Sequence, residues 1–185
     1  WILVHAAAGG VGLLLTQWAR ALGAKVIGVV GNDAKAQLAK KHGCHHVLIM
    51  GRDPIVEAVR RLTKGAGVQV VYDSVGQDTF MTSLDCLKPR GMMVTYGNAS
   101  GPPPAISPLE LSKRGSLFLT RPSLFAYIAQ PVVLESSARE LFAAVRSGAV
   151  KVRIGQRYPL SGAADAHRDL EARRTTGSTV LLPGS

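Results

Sequence analysis

Residues 5–12 read HAAAGGVG and join a short apolar run at 1–5 to an amphipathic stretch at 11–22. Counted from Ala7, the spacing A-x-G-x-x-G is a variant of the fingerprint of dinucleotide-binding strand-turn-helix units. In such a unit Gly9 lets the backbone approach a pyrophosphate, and Gly12 lets the helix pack closely on the strand. The amides at the start of the helix then face the phosphate charge. A plain turn rich in small residues has the same composition, so the interpretation depends on what surrounds the loop.

Strand and helix signals alternate around and after this loop. Apolar runs without polar alternation occur at 1–5, 25–30, 47–50, 68–72, 92–96 and 116–120. Apolar residues at helical spacing separate the first five runs, at 11–22, 33–42, 54–64 and 79–87. Strands that are buried on both faces have sequences of this kind. The alternation therefore predicts an α/β fold with a doubly wound parallel sheet of the Rossmann type, and it favours the cofactor interpretation of the glycine loop.

The pattern changes after the Gly- and Pro-rich segment 97–108, and we place a boundary near Phe125. The pattern beyond it indicates a helix at 132–147, an apolar segment at 150–154, a helix near 163–174 and a strand at 178–182. We therefore divide the chain into residues 1–125 and residues 126–185. The chain opens inside an apolar run, at Trp1 rather than Met, from which we expect a fragment of a longer protein.

Composition excludes several classes of protein. Hydrophobic residues make up 46% of the 185 residues, which is too many for a disordered chain. The sequence has neither an apolar run of about 18 residues nor a secretory leader pattern, so we expect no membrane span and no secretion. Two cysteines are too few for a disulfide framework or a four-thiolate zinc site, which favours a reducing, cytoplasmic compartment. The net charge of +10 indicates an anionic ligand or partner.

The end of the second predicted strand bears on the choice of cofactor. NAD-binding units usually have an acid there, about 20 residues beyond the glycines, bonded to the ribose diol. Gly31 stands at that position, and Lys35 lies one helical turn later. The small residue leaves room for a 2′-phosphate that the lysine neutralises, so we predict NADP(H) rather than NAD(H). Asp33 is the one residue that argues for NAD(H), unless it serves as the N-cap of the helix.

Five stretches of the sequence resemble one family. They are HAAAGGVG at 5–12, YDSVG at 72–76, YGNASG at 96–101, GSLFLTRPSL at 115–124, and LEAR at 170–173 with Gly177-Ser178. In these stretches the chain is similar to the quinone oxidoreductases, the ζ-crystallin-like branch of the zinc-independent medium-chain dehydrogenase/reductase superfamily. The resemblance implies an NADPH-binding Rossmann domain at 1–125. It also implies that 126–185 is the C-terminal part of a GroES-like catalytic domain whose N-terminal part is missing.

The resemblance and the glycine loop together imply which residues contact NADPH. These residues lie in the pyrophosphate loop, the adenosine-phosphate loop, the turn beside the adenine ribose, two loops at the nicotinamide end and a basic position near the 2′-phosphate. By number they are Gly9, Gly10, Val11, Gly31, Asn32, Lys35, Ser74, Val75, Gly97, Asn98, Ala99, Ser100, Pro122, Ser123, Leu124 and Arg173. One position departs from the family pattern, because Met50 stands where many relatives have a Tyr. We assign no catalytic residue.

A cluster of metal-ligand types lies at His42, Cys44, His45 and His46. It spans the end of a predicted helix and the start of a predicted strand, where successive side chains diverge, so we predict no metal site. His5 precedes the glycine loop inside a buried strand, and we expect it to be a buried, hydrogen-bonded residue rather than a catalytic base.

The function that the resemblance implies is NADPH-dependent transfer of hydride or electrons to a quinone. A double-bond reductase of the same superfamily, acting on enoyl or alkenal substrates, fits the same residues. A nucleic-acid-binding or crystallin-like structural role is the third alternative. Basic pairs at 40–41, 60–61, 113–114 and 173–174 favour it, while the aromatic content of 5% does not.

The resemblance also implies a homodimer. The apolar segment 116–120 is expected to lie at the edge of the parallel sheet, where an uncovered strand invites pairing with another chain. Pairing with the same strand of a second copy gives an isologous interface. We therefore expect dimerisation through Gly115–Leu124.

Overall fold

The computed structural model describes residues 1–184 and contains a six-stranded sheet in which every adjacent pair of strands is parallel. The strand order is β3-β2-β1-β4-β5-β6. The strands are β1 (Ile2–His5), β2 (Val26–Val30), β3 (His46–Ile49), β4 (Val68–Asp73), β5 (Leu87–Thr95) and β6 (Phe118–Thr120). The helices that join them are α1 (Gly10–Ala21), α2 (Asp33–Lys41), α3 (Ile55–Leu62), α4 (Phe80–Cys86) and α5 (Leu109–Lys113). The doubly wound parallel sheet predicted from the sequence is confirmed.

Both faces of the sheet are covered, and this explains the unbroken apolar runs. Adjacent residues of β1 point to opposite sides, with Leu3 in one buried cluster and Val4 in the other. The Leu3 cluster includes buried residues of α3 and α4, whereas the Val4 cluster includes residues of α1 and α2. Strand β2 is buried along its whole length. Such strands have no solvent-facing side, so their sequences show no polar alternation.

The C-terminal segment forms a second, smaller layer. It contains α6 (Leu124–Tyr127), α7 (Pro131–Arg146), β7 (Ile154–Pro159), a single 3-10 turn (Leu160–Gly162), α8 (Ala163–Glu171) and β8 (Ser178–Leu182). Strands β7 and β8 pair in parallel as a sheet of their own. Helix α7 buries none of its side chains within residues 1–184.

Two sets of hydrogen bonds attach this segment to the glycine loop and to α1. The Gly177 N–H donates to the Ala8 carbonyl at 2.9 Å. The Gln17 amide of α1 both donates to the Lys151 carbonyl at 3.2 Å and accepts from the Lys151 N–H at 3.0 Å. Residues beyond the predicted boundary at 125 therefore pack directly beside the loop, and the boundary itself stays a prediction.

Two element boundaries differ from the sequence prediction. Strand β5 begins at Leu87 rather than at residue 92, because the Pro89–Gly91 stretch continues the strand through an irregularity in register opposite β4. The apolar segment 150–154 contributes only its last residue to β7. Val150 is instead buried, and its N–H donates to the Ala144 carbonyl.

Short elements and the ends of strands and helices account for the other differences. Strand β6 begins at Phe118, two residues later than predicted. Helices α5 and α6 were not predicted, because five and four residues give no helical period to detect. The remaining helices end one to three residues from their predicted limits. Across residues 1–184, none of the helices has the length and apolarity needed to cross a bilayer.

Candidate functional site

The predicted cofactor-binding segments converge on one edge of the sheet. In a parallel sheet the carboxyl ends of all strands lie on the same side, which is where open α/β sheets bind ligands. Five predicted segments begin within four residues of these ends: 9–11 after β1, 31–35 after β2, 74–75 after β4, 97–100 after β5 and 122–124 after β6. The register places the strand ends level, since His5 pairs with Val29 and Asp73 pairs with Thr95.

The glycine loop brings α1 close to β1. Helix α1 begins at Gly10, and the first bond of its ladder runs from the Leu13 N–H to the Gly9 carbonyl. A Cβ on Gly12 would lie 2.2 Å from the Ala6 carbonyl oxygen. Gly12 therefore makes the close helix–strand approach that the fingerprint predicts. The N–H groups of the first turn of α1 have no acceptor within the helix, so they are available to donate to an anion.

The loop after β2 differs from the sequence prediction in one respect. The N-cap of α2 is Asn32, whose side-chain oxygen accepts from the Lys35 N–H at 2.9 Å. The interpretation of Asp33 as the N-cap was wrong, because Asp33 is the first helical residue. A Cβ on Gly31 would meet no atom within 4 Å, so the loop leaves open space at that position.

The structure brings together two basic residues that lie far apart in sequence. The Lys35 amine donates to the Arg173 carbonyl at 2.5 Å. Burial, and secondarily the charge of Arg173, lowers the pKa of Lys35. The Arg173 guanidinium lies 3.4 Å from the Asp78 carboxylate. The turn after α8 thus contacts both the predicted adenosine-phosphate loop, through Lys35, and the segment that follows β4, through Asp78.

The loops after β4 and β5 are joined along their backbones. The Ala99 N–H donates to the Ser74 carbonyl at 3.2 Å, and the Ser100 N–H donates to the Val75 carbonyl at 2.8 Å. A Cβ on Gly97 would lie 2.4 Å from the Ser74 carbonyl oxygen. The predicted ribose and nicotinamide loops therefore form one unit with a fixed spacing.

The loop after β6 is held to this unit by a single side chain. The Arg121 guanidinium donates to the Gly97 carbonyl at 3.1 Å. Pro122, Ser123 and Leu124 follow it, and α6 begins at Leu124, which is 67% exposed. These three residues, which the resemblance assigns to the nicotinamide end, thus follow the arginine that contacts the Gly97 loop. Leu124 leaves an apolar side chain exposed within residues 1–184.

A buried polar network under these loops was not found by sequence reasoning. The Asp73 carboxylate is fully buried and accepts from the N–H groups of Val75 and Gly76 and from the hydroxyls of Thr79 and Ser83. The Ser83 oxygen also lies 2.9 Å from His5 Nε2. The sequence did contain a signal for this network, because Asp73 ends a buried strand and is followed by two hydroxyl residues, Thr79 and Ser83, at helical spacing.

His5 has the character that the sequence predicts. It is 1% exposed, and its Nδ1 is the one buried side-chain nitrogen or oxygen in residues 1–184 without a hydrogen-bond partner. Burial lowers the pKa of His5, and the nearby Asp73 carboxylate opposes this shift more weakly. A neutral imidazole that donates from Nε2 to Ser83 leaves Nδ1 as a bare acceptor.

The histidines and the cysteine between residues 42 and 46, which are of metal-ligand type, have different neighbours. His42 Nδ1 lies 2.9 Å from the Leu38 carbonyl, and His45 Nδ1 accepts from the Val26 N–H at 3.0 Å. Cys44 is buried, which raises the pKa of its thiol to about 12. Within the described part of the chain, no three His, Cys, Asp or Glu side chains are grouped so that they could hold a metal ion.

Comparison with known proteins places the chain in a family. The family model described as zinc-binding dehydrogenase matches residues 10–128, which run from α1 to α6 and include strands β2 to β6. The chain belongs to this dehydrogenase family. The chain is also 50% identical over 182 residues to a quinone oxidoreductase of Pseudomonas aeruginosa, covering 98% of this chain and 56% of the relative.

Two further relatives of the dehydrogenase chain bear on chemistry. A 2-haloacrylate reductase of a Burkholderia species is 47% identical over 184 residues, covering 99% of this chain and 55% of that protein. The structure of Escherichia coli quinone oxidoreductase in complex with NADPH matches with a TM-score of 0.95 and 49% identity, covering 98% of this chain and 56% of the other. The chain therefore spans little more than half the length of the relatives it matches.

Gly12 provides a test of the glycine loop. We expect Gly12→Ala to lower the free energy of unfolding by at least about 1–3 kcal/mol, because the new methyl group overlaps backbone that cannot rotate away. Gly31→Ala is the matched control, since a Cβ there meets open space. Urea unfolding followed by circular dichroism measures both. Equal stability of the two variants would show that α1 does not depend on this contact.

His5 predicts a pH dependence of stability. Its folded-state pKa lies below the ordinary value of 6.5, so the unfolded chain binds the proton more readily. Stability from the neutral imidazole is therefore present above 6.5 and falls as the pH drops from 6.5 towards the folded-state pKa. We expect His5→Gln, which retains a side-chain donor, to flatten the change in unfolding free energy with pH in that window. An unchanged slope would contradict the assignment.

Proposed function

We propose that this chain is the cofactor-binding part of an NADPH-dependent quinone oxidoreductase, which transfers hydride or electrons from NADPH to a quinone. The observation that carries the proposal is the convergence of the five predicted loops at the carboxyl edge of the sheet. The similarity to quinone oxidoreductases at about half identity supports the same chemistry. Because the match covers 56% of the first of these relatives, the activity proposed is that of the longer protein.

The residues at this edge fit NADPH. The first-turn amides of α1, at Gly10, Val11 and Gly12, suit the pyrophosphate. The open space beside Gly31, in the loop that leads into the first turn of α2 and Lys35, suits a 2′-phosphate. Gly31 and Asn32 would line the adenosine end, while Ser74 and Val75 would flank the ribose.

The remaining proposed contacts lie towards the nicotinamide. They are Gly97, Asn98, Ala99, Ser100, Pro122, Ser123 and Leu124. Bound NADPH would supply the hydride, and the chain would bind and orient it. The backbone bonds between the β4 and β5 loops fix the relative positions of the ribose and nicotinamide contacts. We assign no general acid and no metal ligand in this chain, and we propose a zinc-independent reaction.

A double-bond reductase is the second candidate. The 2-haloacrylate reductase is nearly as similar to this chain as the quinone oxidoreductases are. Both reactions deliver reducing equivalents from the same cofactor edge to an electron-poor acceptor. The chain's own residues do not separate them, so the acceptor is decided by experiment.

Acceptor assays on the full-length protein test the two candidates. We expect NADPH oxidation to be faster with 9,10-phenanthrenequinone than with a 2-alkenal at equal concentration. Faster turnover of the alkenal would replace the quinone assignment with the reductase one. An absence of NADPH oxidation with either acceptor would contradict both assignments.

Nucleic-acid binding receives less support, because several basic residues are engaged within the chain. The Arg60 guanidinium donates to the carbonyls of Asp85 and Leu87, and Arg114 pairs with Asp85 at 2.6 Å. Arg174 pairs with Asp169. Three of the four basic pairs seen in the sequence thus contribute a cation to internal contacts, and we do not propose a polyanion surface. The proposed location is cytoplasmic.

We also propose a homodimer through Gly115–Leu124. Strand β6 lies at the edge of the sheet, as predicted, with Phe118 53% and Leu119 39% exposed. Leu117 is different, because it is buried in the core and its N–H donates to the Leu111 carbonyl. The proposed interface therefore uses the outer side chains of the strand rather than Leu117.

A charge on this edge tests the dimer. We expect Phe118→Lys to give monomers in light scattering of the full-length protein, because burying an unpaired ammonium at an interface is costly. Leu22→Lys is the matched control, since Leu22 is 78% exposed at the end of α1. A wild-type protein that is itself monomeric would contradict the proposal.

Lys35 tests the choice of cofactor. A charge-assisted phosphate contact contributes about 1.5–3 kcal/mol, so we expect Lys35→Ala to weaken NADPH binding by about tenfold or more. NADH binding should change little, because NADH lacks the 2′-phosphate. Lys40→Ala, on the exposed end of the same helix, is the control for the loss of a positive charge. Equal losses for the two cofactors would contradict the assignment of Lys35.

A further inference from the structure

The loops after β2 and β3 run side by side at the adenosine end of the site. The Met50 N–H donates to the Val30 carbonyl at 2.9 Å, which holds Gly51 next to Gly31. A Cβ on either glycine would meet no atom within 4 Å. The space proposed for the 2′-phosphate is therefore bordered by residues of both loops, and not only by the α2 residues that the sequence indicates.

Asp33 places a carboxylate at this border. It begins α2, two residues after Gly31 and two before Lys35. Its side chain is 77% exposed. An acid near the end of the second strand usually binds the ribose hydroxyls of NAD, and it repels a 2′-phosphate. Taken alone, Asp33 therefore conflicts with a preference for NADPH.

Arg52 resolves this conflict from the neighbouring loop. Its guanidinium donates to the Asp33 carboxylate at 2.8 Å and lies 3.5 Å from the Asp53 carboxylate. The Asp53 carboxylate is in turn occupied by the Ile49 N–H at 2.6 Å. Arg52 thus occupies one of the two carboxylate oxygens of Asp33 and places a positive charge beside it.

The charges around this space are closely balanced. Three cations, Lys35, Arg52 and Arg173, are in contact with one another or with three carboxylates, Asp33, Asp53 and Asp78. Removing Arg52 changes the balance from neutral to one net negative charge. Arg52 therefore decides whether the net charge of the groups that surround the phosphate space is neutral or negative.

We propose that Arg52 is a specificity-determining residue, which selects NADPH over NADH by neutralising Asp33. It acts on the cofactor through Asp33, and so it is a positioning residue rather than a catalytic one. The inference rests on the proposed function, since it concerns the same cofactor site. It also assigns a role to the loop in which Met50 departs from the family pattern.

The test measures dissociation constants of NADPH and NADH on the full-length protein, by nicotinamide fluorescence and without an acceptor. For Arg52→Ala we expect roughly tenfold weaker NADPH binding, from one unpaired carboxylate near the phosphate, and NADH binding that is unchanged or tighter. The NADPH effect should shrink in high salt, because both groups are exposed. Arg139→Ala removes the same charge from an exposed position in α7 and should change neither constant.

The double variant separates neutralisation of Asp33 from direct contact with the phosphate. If Arg52 acts through Asp33, then Asp33→Asn in the Arg52→Ala background restores NADPH affinity to near the wild-type value. A double variant that stays as weak as Arg52→Ala overturns the proposal, and so does an unchanged NADPH to NADH ratio in Arg52→Ala. A wild-type protein that binds neither cofactor overturns the proposed function itself, which is a different result from these two.

Discussion

The cofactor edge of the sheet depends on the buried carboxylate of Asp73. A carboxylate removed from water is costly unless hydrogen bonds replace its hydration, and here four donors do so. Two donors are backbone N–H groups of the turn after β4, and two are hydroxyls near or within α4. Because Ser83 also contacts His5, the same carboxylate is linked to the end of β1, directly before the glycine loop. One buried charge thus fixes two of the loops proposed to hold the cofactor.

The C-terminal segment contacts the proposed cofactor site although it forms a separate sheet. Gly177 is bonded to Ala8 behind the glycine loop, and the Arg173 carbonyl accepts from Lys35 at the adenosine end. A boundary at 125 therefore separates two layers of structure but not two independent functions. A Cβ added to Gly10 would lie only 3.3 Å from the Ser178 hydroxyl oxygen. Residues of both layers therefore pack around the start of α1.

The fold was predictable from sequence because it depends on patterns that are local along the chain. The buried run of β2 and the glycines before α1 are such patterns, and the structure has both.

Contacts between distant residues were not predictable in this way. His5 and Ser83 lie 78 positions apart, and Asp33 and Arg52 lie 19 apart on different loops. No periodicity pairs such side chains. The proximity of Arg173 to the adenosine loop came from family resemblance, and the irregular start of β5 was hidden by a Pro-Arg-Gly stretch typical of a turn.

The start of α2 shows how two physical demands act on one position. An acid in the first turn of a helix is favourable, because the N–H groups there carry partial positive charge. Asn32 already caps this helix, so Asp33 adds charge rather than a capping bond. The same negative charge is unfavourable beside a phosphate. On our proposal Arg52 satisfies both demands, since its pairing with Asp33 leaves the acid at the start of the helix and offsets its negative charge. Because the Arg52 side chain is 57% exposed, the proposed control of cofactor preference rests on a residue outside the buried core of the sheet.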